Sequence, residues 1–378
     1  MANRKHMTKR QLREEKRRRI RKRRRRRVIF LMIEIAILIV LGVVAFGMFK
    51  LGKLDHNALN VKNLEVYKDN GKYTNIALFG LDSRNGELEG GVQSDCIMIA
   101  SINNKTSDVK LMSVYRDTLL LQKNGSYNKA NAAYNMGGPE EAISLLNRNF
   151  DLNIKNYVSV DFNALVKVID ALGGIDVNMT QEEAHWCNLY GAETARVIGA
   201  HWSDIKEKKG TQHLDGIHGV AYARIRYTSG NDFKRAQRQR IVLEKVAAKA
   251  KKANFLTLNK IIDEVFPMIS TSFSSKEILG FAAHALDYNI VTTNGFPYNV
   301  TASEDVKNHE GVSFVVPIDL EANVVQLHQD LFNDEKYEPS DKVKEISDEI
   351  IYLTDITSEN TEAMKSTFKG DIQDEGSK

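Results

Sequence analysis

The feature that most constrains this chain is a 22-residue apolar run, Val28 to Phe49, that carries a single charge, Glu34, and follows directly on an arginine-packed arm. At ~1.5 Å rise per residue a helix of that length reaches about 33 Å, enough for the ~30 Å hydrocarbon core of a bilayer. The run is longer than a secretory signal and lacks its small-residue cleavage site, so it reads as an uncleaved anchor. Residues 1–27 hold sixteen Lys and Arg against Glu14 and Glu15, a charge of +14. Basic residues beside a first span stay in the cytoplasm, so the chain beyond it is expected outside the cell. Glu34 is expected to pair with Arg27 or a lipid headgroup.

The overall charge of +4 averages two opposites, because 37 bases and 46 acids lie beyond the span and give that part −9. A run such as Arg21–Arg27 would neutralise phosphates in solution. Tethered to a bilayer, it sets topology and touches anionic lipid, and no nucleic-acid partner is expected. Cys96 and Cys187 make no disulfide framework in an exported domain this large. Cys96, in the apolar run Cys-Ile-Met-Ile-Ala, reads as a buried thiol, with a single bridge to Cys187 left open. His185, His201, His213 and His218 have no zinc-site spacing.

Five regions follow: a basic cytoplasmic tail (1–27), the transmembrane helix (28–50), an extracellular stalk (51–72), one α/β domain (73–330), and a C-terminal helix with a disordered tail (331–378). Within the domain, strand-like and helix-like segments alternate. Strands are expected at 75–80, 96–102, 109–115, 157–160, 175–179, 220–227 and 312–317. Helices are expected at 139–149, 162–172, 232–253, 258–268 and 275–288. Pro139 opens one helix, Gly173-Gly174 closes another, and Ser274 or Ser275 caps a third. Beyond Pro339-Ser340, Val343, Ile346 and Ile350 share one side of a further helix, and the polar stretch from Thr354 reads as the disordered tail.

The chemistry is expected where charged residues sit at strand ends, since open α/β sheets collect ligands there. Strand 75–80 runs into Leu81-Asp82-Ser83-Arg84, Ser94-Asp95 precedes the Cys96 run, and Arg116-Asp117 closes strand 109–115. Asp82 and Asp95 are carboxylates of the kind that hold Mg²⁺ beside a phosphate. In a strand at 220–227, Arg224 and Arg226 would share one face. Arg235, Arg238 and Gln239 would share a face of the next helix. Guanidinium groups converging with two aspartates suit a diphosphate, because their planar forks give paired charge-assisted hydrogen bonds.

At these residues the chain resembles the LytR-CpsA-Psr family. The resemblance is carried by Asn75-Ile-Ala-Leu-Phe-Gly-Leu-Asp-Ser-Arg84, Ser94-Asp95, the strand into Arg116-Asp117, Asp170-Ala-Leu-Gly-Gly-Ile-Asp176, Ala221-Tyr-Ala-Arg-Ile-Arg226 and Asp232-Phe-Lys-Arg-Ala-Gln-Arg-Gln239. It implies a mixed central β-sheet flanked by helices, anchored in the cell membrane of a Gram-positive bacterium. It implies a phosphotransferase that moves a glycopolymer, such as teichoic acid or capsular polysaccharide, from a polyprenyl-pyrophosphate carrier to peptidoglycan. Mg²⁺ or Mn²⁺ would sit at Asp82 and Asp95. Arg84, Arg116, Arg224, Arg226, Arg235 and Gln239 would line the pyrophosphate, joined by Arg238 through its helix face. Arg116, Arg224 and Arg226 would carry catalysis, with Asp232 or Asp117 as base. The polyprenyl chain would lie in an apolar tunnel, for which Phe162–Leu172 and Ile241–Val246 are nominated. One departure stands out, Tyr115 where the family commonly has proline before Arg-Asp. The alternatives are hydrolysis of the same lipid pyrophosphate, and a non-enzymatic membrane regulator or lipid sensor.

Overall fold

A computed structural model describes residues 52, 55–68, 71–81, 88, 91–228 and 231–365. The basic arm, the apolar run and two of the site candidates, Asp82 and Arg84, lie outside that set. No helix of the described residues is long and apolar enough to cross a membrane.

The elements that place the site are, in chain order, β1 (Asp55–His56), β2 (Tyr73–Leu81), β3 (Ser94–Asn103), β4 (Asp108–Val114), α1 (Ala132–Phe150), β5 (Asn156–Asp161), α2 (Phe162–Ala171), α3 (Gln181–Ile198), α4 (Gly216–Arg224), α5 (Asn231–Ala250), α6 (Phe255–Val265), β6 (Ile269–Thr271), α7 (Ser275–Ala283), β7 (Asn289–Phe296), α8 (Leu320–Phe332) and α9 (Asp341–Thr354). The seven strands form one mixed sheet in the order β1-β6-β5-β2-β3-β4-β7. β1 with β6, β5 with β2 and β4 with β7 are parallel, and the other pairs antiparallel.

Alternation along the strands sorts apolar side chains to two faces. Ala77, Phe79, Leu81, Ile97, Ile99, Met112 and Val114 face one side, where they pack with Ile143 and Leu146 of α1, Val324 and Leu327 of α8, and Val343, Ile346 and Ile350 of α9. Ile76, Ala100, Ile102, Val109 and Leu111 face the other, against Phe273 and the partly buried Leu243, Ile278 and Phe281. Each such aliphatic side chain, fully buried, stabilises the fold by ~1.5–3 kcal/mol. Ile241 and Val242, nominated for a tunnel, pack with Ile169, Ile175 and Tyr222 as ordinary core.

The expected strand at 220–227 is instead mostly helix, α4, capped by Asp215, whose Oδ1 accepts from His218 N at 2.9 Å. Its β-branched and aromatic residues favour a strand locally, but packing decides otherwise. A Cβ on Gly216 would lie 2.3 Å from the Val166 carbonyl oxygen, and one on Gly219 would lie 2.6 Å from Ile169 Cδ1. The two glycines let α4 press directly on α2. At Pro139 the expectation meets a kink: Gly137 and Gly138 leave helical geometry and Pro139 begins the second segment of α1.

The divisions expected at 72 and 330 do not separate bodies within the described residues. Leu64 is fully buried in the same cluster as α9, Glu65 pairs with Arg148 of α1, and β1 joins the sheet through β6. Part of the supposed disordered tail is also placed, since Met364–Lys365 pairs with Asn299–Val300. Both cysteines are free: Cys187 is buried in α3, where burial pushes its thiol up to about 12, and Cys96 is half-buried across from Gly80.

Candidate active site

At one end of the sheet β2 and β4 finish and β3 begins. β4 stops at Val114, after which Tyr115 N donates to Phe296 O at 3.0 Å. Thr118 closes the loop, its N and Oγ1 both donating to Tyr115 O at 3.0 and 2.6 Å. Residues 115–118 thus form a tight turn with Arg116 and Asp117 at its centre. A proline at 115 would delete the N–H that ties the turn to β7. Tyr115 adds two further holds, an edge-on contact with Phe233 at 4.7 Å and a hydroxyl lying over Gly295, where a Cβ would come within 1.9 Å. The departure from proline therefore comes with its own means of fixing Arg116.

Six charged side chains from four segments meet there. Arg116 Nη1 lies 2.6 Å from Asp95 Oδ1, and Arg116 Nε lies 3.4 Å from both Asp117 and Asp232. Arg226 reaches Asp95 Oδ2 at 3.4 Å and Asp232 Oδ1 at 3.7 Å. Arg235, one turn along α5, pairs with Asp232 at 2.9 Å, and its buried Nε meets no acceptor among the described residues. Lys129 approaches Asp117 at 3.0 Å, a contact the sequence reading did not anticipate. With Lys129 counted, these groups sum to +1, so a diphosphate arriving at the cluster would leave it short of positive charge. Arg226 is the most accessible of the arginines, its side chain 37% exposed.

Burial alone would raise the Asp95 carboxyl, but the guanidinium groups of Arg116, Arg235 and Arg226 outweigh it and hold Asp95 below the usual carboxylate range. Arg116 shows the converse: burial would lower it, and Asp95, Asp117 and Asp232 hold it up. Burial lowers Arg235, opposed by Asp232 and reinforced by Arg116 and Arg226. Because the folded Asp95 titrates below its unfolded value of ~3.9, its contribution to stability is fully present above that pH and is lost as pH falls through the folded value. Asp95→Asn is accordingly expected to cost stability at pH 7, with the difference from the parent shrinking below about pH 4. Denaturant titrations of the two proteins from pH 7 to pH 3 check this, and a difference that stays constant with pH would contradict it.

The other expected site residues divide. Arg224 ends α4 with Nη1 donating to Thr194 Oγ1 at 2.9 Å, and its guanidinium lies over the rings of Phe162 and Tyr190 at 5.3 and 5.7 Å. Arg226 follows in the loop after α4, so the two are brought together by a helix end and not by one strand face. Arg238 is 1% exposed and fully engaged: Nε with Glu183 Oε1 at 2.8 Å, Nη1 with Ile225 O at 3.0 Å and Nη2 with Thr228 Oγ1 at 2.6 Å. It braces the loop that carries Arg226 and has no hydrogen-bonding edge turned to a ligand. Gln239 is half-buried beside it. An aromatic group at the rim, Trp186 and Tyr190 of α3 with the exposed Tyr227, went unread because α3 was not expected. The signal was present, since Thr180 and Glu183 form a capping box and Gly199 ends the helix in a left-handed turn.

Of the pair proposed for Mg²⁺, Asp95 is the one described. It is held ionised, and among the described residues its Oδ2 is held by the longer contact from Arg226. Mg²⁺ takes one or two carboxylates together with waters and phosphate oxygens, so this carboxylate fits the ion, and the charge shortfall of the cluster favours a divalent cation.

The family model described as the LytR_cpsA_psr family matches residues 50–327. The chain is 28% identical over 285 residues to the polyisoprenyl-teichoic acid–peptidoglycan teichoic acid transferase TagV of Bacillus subtilis, covering 70% of each chain. It is 27% identical to the regulatory protein MsrR of Staphylococcus aureus, over 68% of this chain and 70% of that one. The fold matches TagT bound to LI-WTA with a TM-score of 0.57 at 20% identity, over 73% of this chain and 99% of that one. It matches YwtF (TagT) with bound octaprenyl pyrophosphate lipid with a TM-score of 0.53 at 19% identity, with the same coverage. The match over residues 50–327, together with the mixed sheet and the arginine–aspartate cluster at its end, shows that the chain belongs to the LytR_cpsA_psr family.

Proposed function

We propose that this protein is a membrane-anchored phosphotransferase that moves a glycopolymer from a polyprenyl-pyrophosphate carrier to peptidoglycan. The observation that carries the reading is the interlock of Arg116, Arg226 and Arg235 with Asp95, Asp117 and Asp232 at one end of the sheet. The names of the relatives support it, TagV being a teichoic acid transferase and one TagT structure holding a polyprenyl pyrophosphate. The apolar run Val28–Phe49 would anchor the domain outside the cell, where such a donor presents its pyrophosphate.

In this reading an acceptor hydroxyl oxygen attacks the sugar-side phosphorus and the bond to the bridging oxygen breaks, so that polyprenyl phosphate leaves. Phosphoryl transfer of this kind depends mainly on positioning and on cations that take up charge on the equatorial and leaving oxygens. Arg116 and Arg226 exchange their carboxylate partners for phosphate oxygens, and Arg235, buried and paired with Asp232, adds its charge from behind. Arg224, bonded to Thr194 and lying over Tyr190, flanks Arg226 on the α3 side. Asp232, set among three guanidinium groups, takes the hydroxyl proton, while Asp117, itself held by Lys129, steadies Arg116. Mg²⁺ held by Asp95 with Asp82 would supply the remaining charge neutralisation.

The test is incubation of the purified protein with a lipid-linked oligosaccharide, with and without peptidoglycan. Transfer predicts a covalent glycan–phosphate product on peptidoglycan and release of polyprenyl phosphate. Free sugar phosphate as the sole product in both arms would replace the ligase reading by hydrolysis.

A further inference from the structure

Single exposed apolar side chains are ordinary on a protein surface, but here the most exposed ones gather. Among the described residues the three large hydrophobic side chains most open to solvent are Leu256, Leu286 and Phe255, at 77%, 73% and 69%. Phe255 and Leu256 open α6, and Leu258 of the same helix is exposed as well. Their turn is fixed, since Asn254 caps the helix with its Oδ1 accepting from Thr257 N at 2.9 Å. Leu286 belongs to the segment between α7 and β7, three residues before Asn289. That segment is tied to the chain before α6, because Lys251 Nζ donates to Asn289 Oδ1 at 2.9 Å. Val291, two residues further along β7, is exposed too.

The charge around this patch is one-sided. From Lys245 to Lys260 the chain carries five lysines and no acid, although the part beyond the apolar run has a net charge of −9. Lys252 and Lys260 are exposed on either side of the Phe255-Leu256 pair. Apolar side chains flanked by lysines suit a lipid interface: the apolar groups enter the boundary between headgroups and acyl chains, and the ammonium groups meet anionic headgroups. The course of the chain favours the same occupant. Asp55 of β1 follows Phe49, the last residue of the apolar run, by six residues, a length that spans about 20 Å at most. β1 pairs with β6, which comes directly after α6 and a short turn, and from Val265 back to Phe255 is ~15 Å of helix. If Val28–Phe49 crosses the membrane, the patch is held within reach of the bilayer at an effective concentration on the order of millimolar. A contact too weak to recruit a free protein would then stay closed.

We infer that this patch seats the domain on an anionic bilayer, Phe255, Leu256 and Leu286 entering the interface while Lys252 and Lys260 meet lipid phosphates. The tether that favours it rests on the anchor reading, and the two are measured separately. α5 carries Asp232 in its first turn and Lys249 in its last. Seating at that end stops the domain turning on its tether and gives the arginine–aspartate cluster one presentation to a lipid-borne donor.

The experiment places a tryptophan in the patch, Leu256→Trp, in the full-length protein reconstituted at low density into vesicles of equal parts phosphatidylcholine and phosphatidylglycerol. The signal is the emission added to that of the parent, which has Trp186 and Trp202. It is expected to be blue-shifted and roughly halved when the lipids carry brominated acyl chains, because the ring lies at the headgroup–acyl boundary. High salt, or Lys252→Glu with Lys260→Glu, should relieve most of the quenching. Phe255→Trp is the second reporter should the first fold poorly, and Tyr352→Trp, on α9 across the sheet, should show neither effect. The proposal is overturned if neither reporter is quenched, or if the Tyr352 position is quenched equally. A blue shift without quenching also overturns it, since a second copy of the chain or another protein would then cover the patch. Flotation of the parent with the vesicles after alkaline carbonate reports the anchor independently. Flotation without quenching keeps the anchor and removes the seat, whereas quenching in a chain that carbonate strips from the lipid keeps the seat and removes the anchor.

Discussion

Alanine at position 116 is expected to lower kcat/KM for polymer transfer by about 10²–10³-fold, the scale seen when a preorganised group facing developing charge is removed. Arg116 is the hub of the cluster, touching Asp95, Asp117 and Asp232 from a single turn. Its loss also leaves Asp95 without the neighbour that does most to offset the effect of burial on its carboxyl. The Asp95 carboxyl should therefore rise toward ordinary values, and the acid limb of the pH–rate profile should move upward in Arg116→Ala. Lysine at 116 restores the charge without the planar fork and should recover only part of the rate. Rates measured with a purified lipid-linked donor, at several pH values, decide the matter. A variant with unchanged kcat/KM and an unmoved acid limb would place the chemistry elsewhere.

The largest effect on stability is expected from Arg238→Ala. The side chains of Arg238 and Glu183 are 2% and 4% exposed, and removing one member strands the other charge in the interior, a change that costs about 3–5 kcal/mol. At roughly 2–4 °C per kcal/mol for a domain of this size, melting should fall by about 10 °C. Replacing both partners with residues of similar shape, Glu183→Gln with Arg238→Met, should recover much of the loss, since no charge is then left unpaired. Activity should not follow stability in simple proportion. Arg238 also holds Ile225 O and Thr228 Oγ1, so the double variant is expected to melt near the parent temperature yet transfer slowly, its Arg226 loop no longer braced. A double variant with full activity would show that the loop needs no brace.

The sheet was legible because its strands are apolar runs with charged ends. The segment expected at 175–179 is a strand over those residues, Ile175–Met179, and β2 to β5 differ from their expected bounds by one or two residues. Among the elements not expected, α8 has buried Leu320, Val324, Leu327 and Leu331 at helical spacing, whereas β7 and α3 have a diluted apolar signal. β7 is an edge strand whose first residues are largely exposed, and α3 carries polar residues round most of its circumference. The reversal at α4 has a different cause, since its two glycines weaken the helix locally and are kept because α2 lies too close for a side chain. In the site, the structure brings together Asp95 and Arg116, expected from strand ends, Arg226 and Arg235, expected from a strand face and a helix face, and Asp232, which the family resemblance suggests. The sequence did not separate Arg238 from them, because a helix face says which residues are neighbours and not which of them is turned into the core. Lys129 was invisible for the same kind of reason, as it comes from a short hairpin, Leu119–Leu121 with Tyr127–Lys129, that only the fold brings beneath Asp117.

The fit of α9 against the sheet has a practical consequence. The family model's match stops at residue 327, inside α8, yet Val343, Ile346 and Ile350 lie beyond it and fill the same core as Phe79 and Ile99. The cooperative folding unit is thus longer than the stretch the family model matches. A version trimmed to the matched stretch would keep every arginine and aspartate of the cluster and still lose the apolar lid over the opposite side of the sheet. In such a protein the catalytic groups would be present in sequence but no longer held in register, so the turns of α9 belong to the enzyme as much as its active site does.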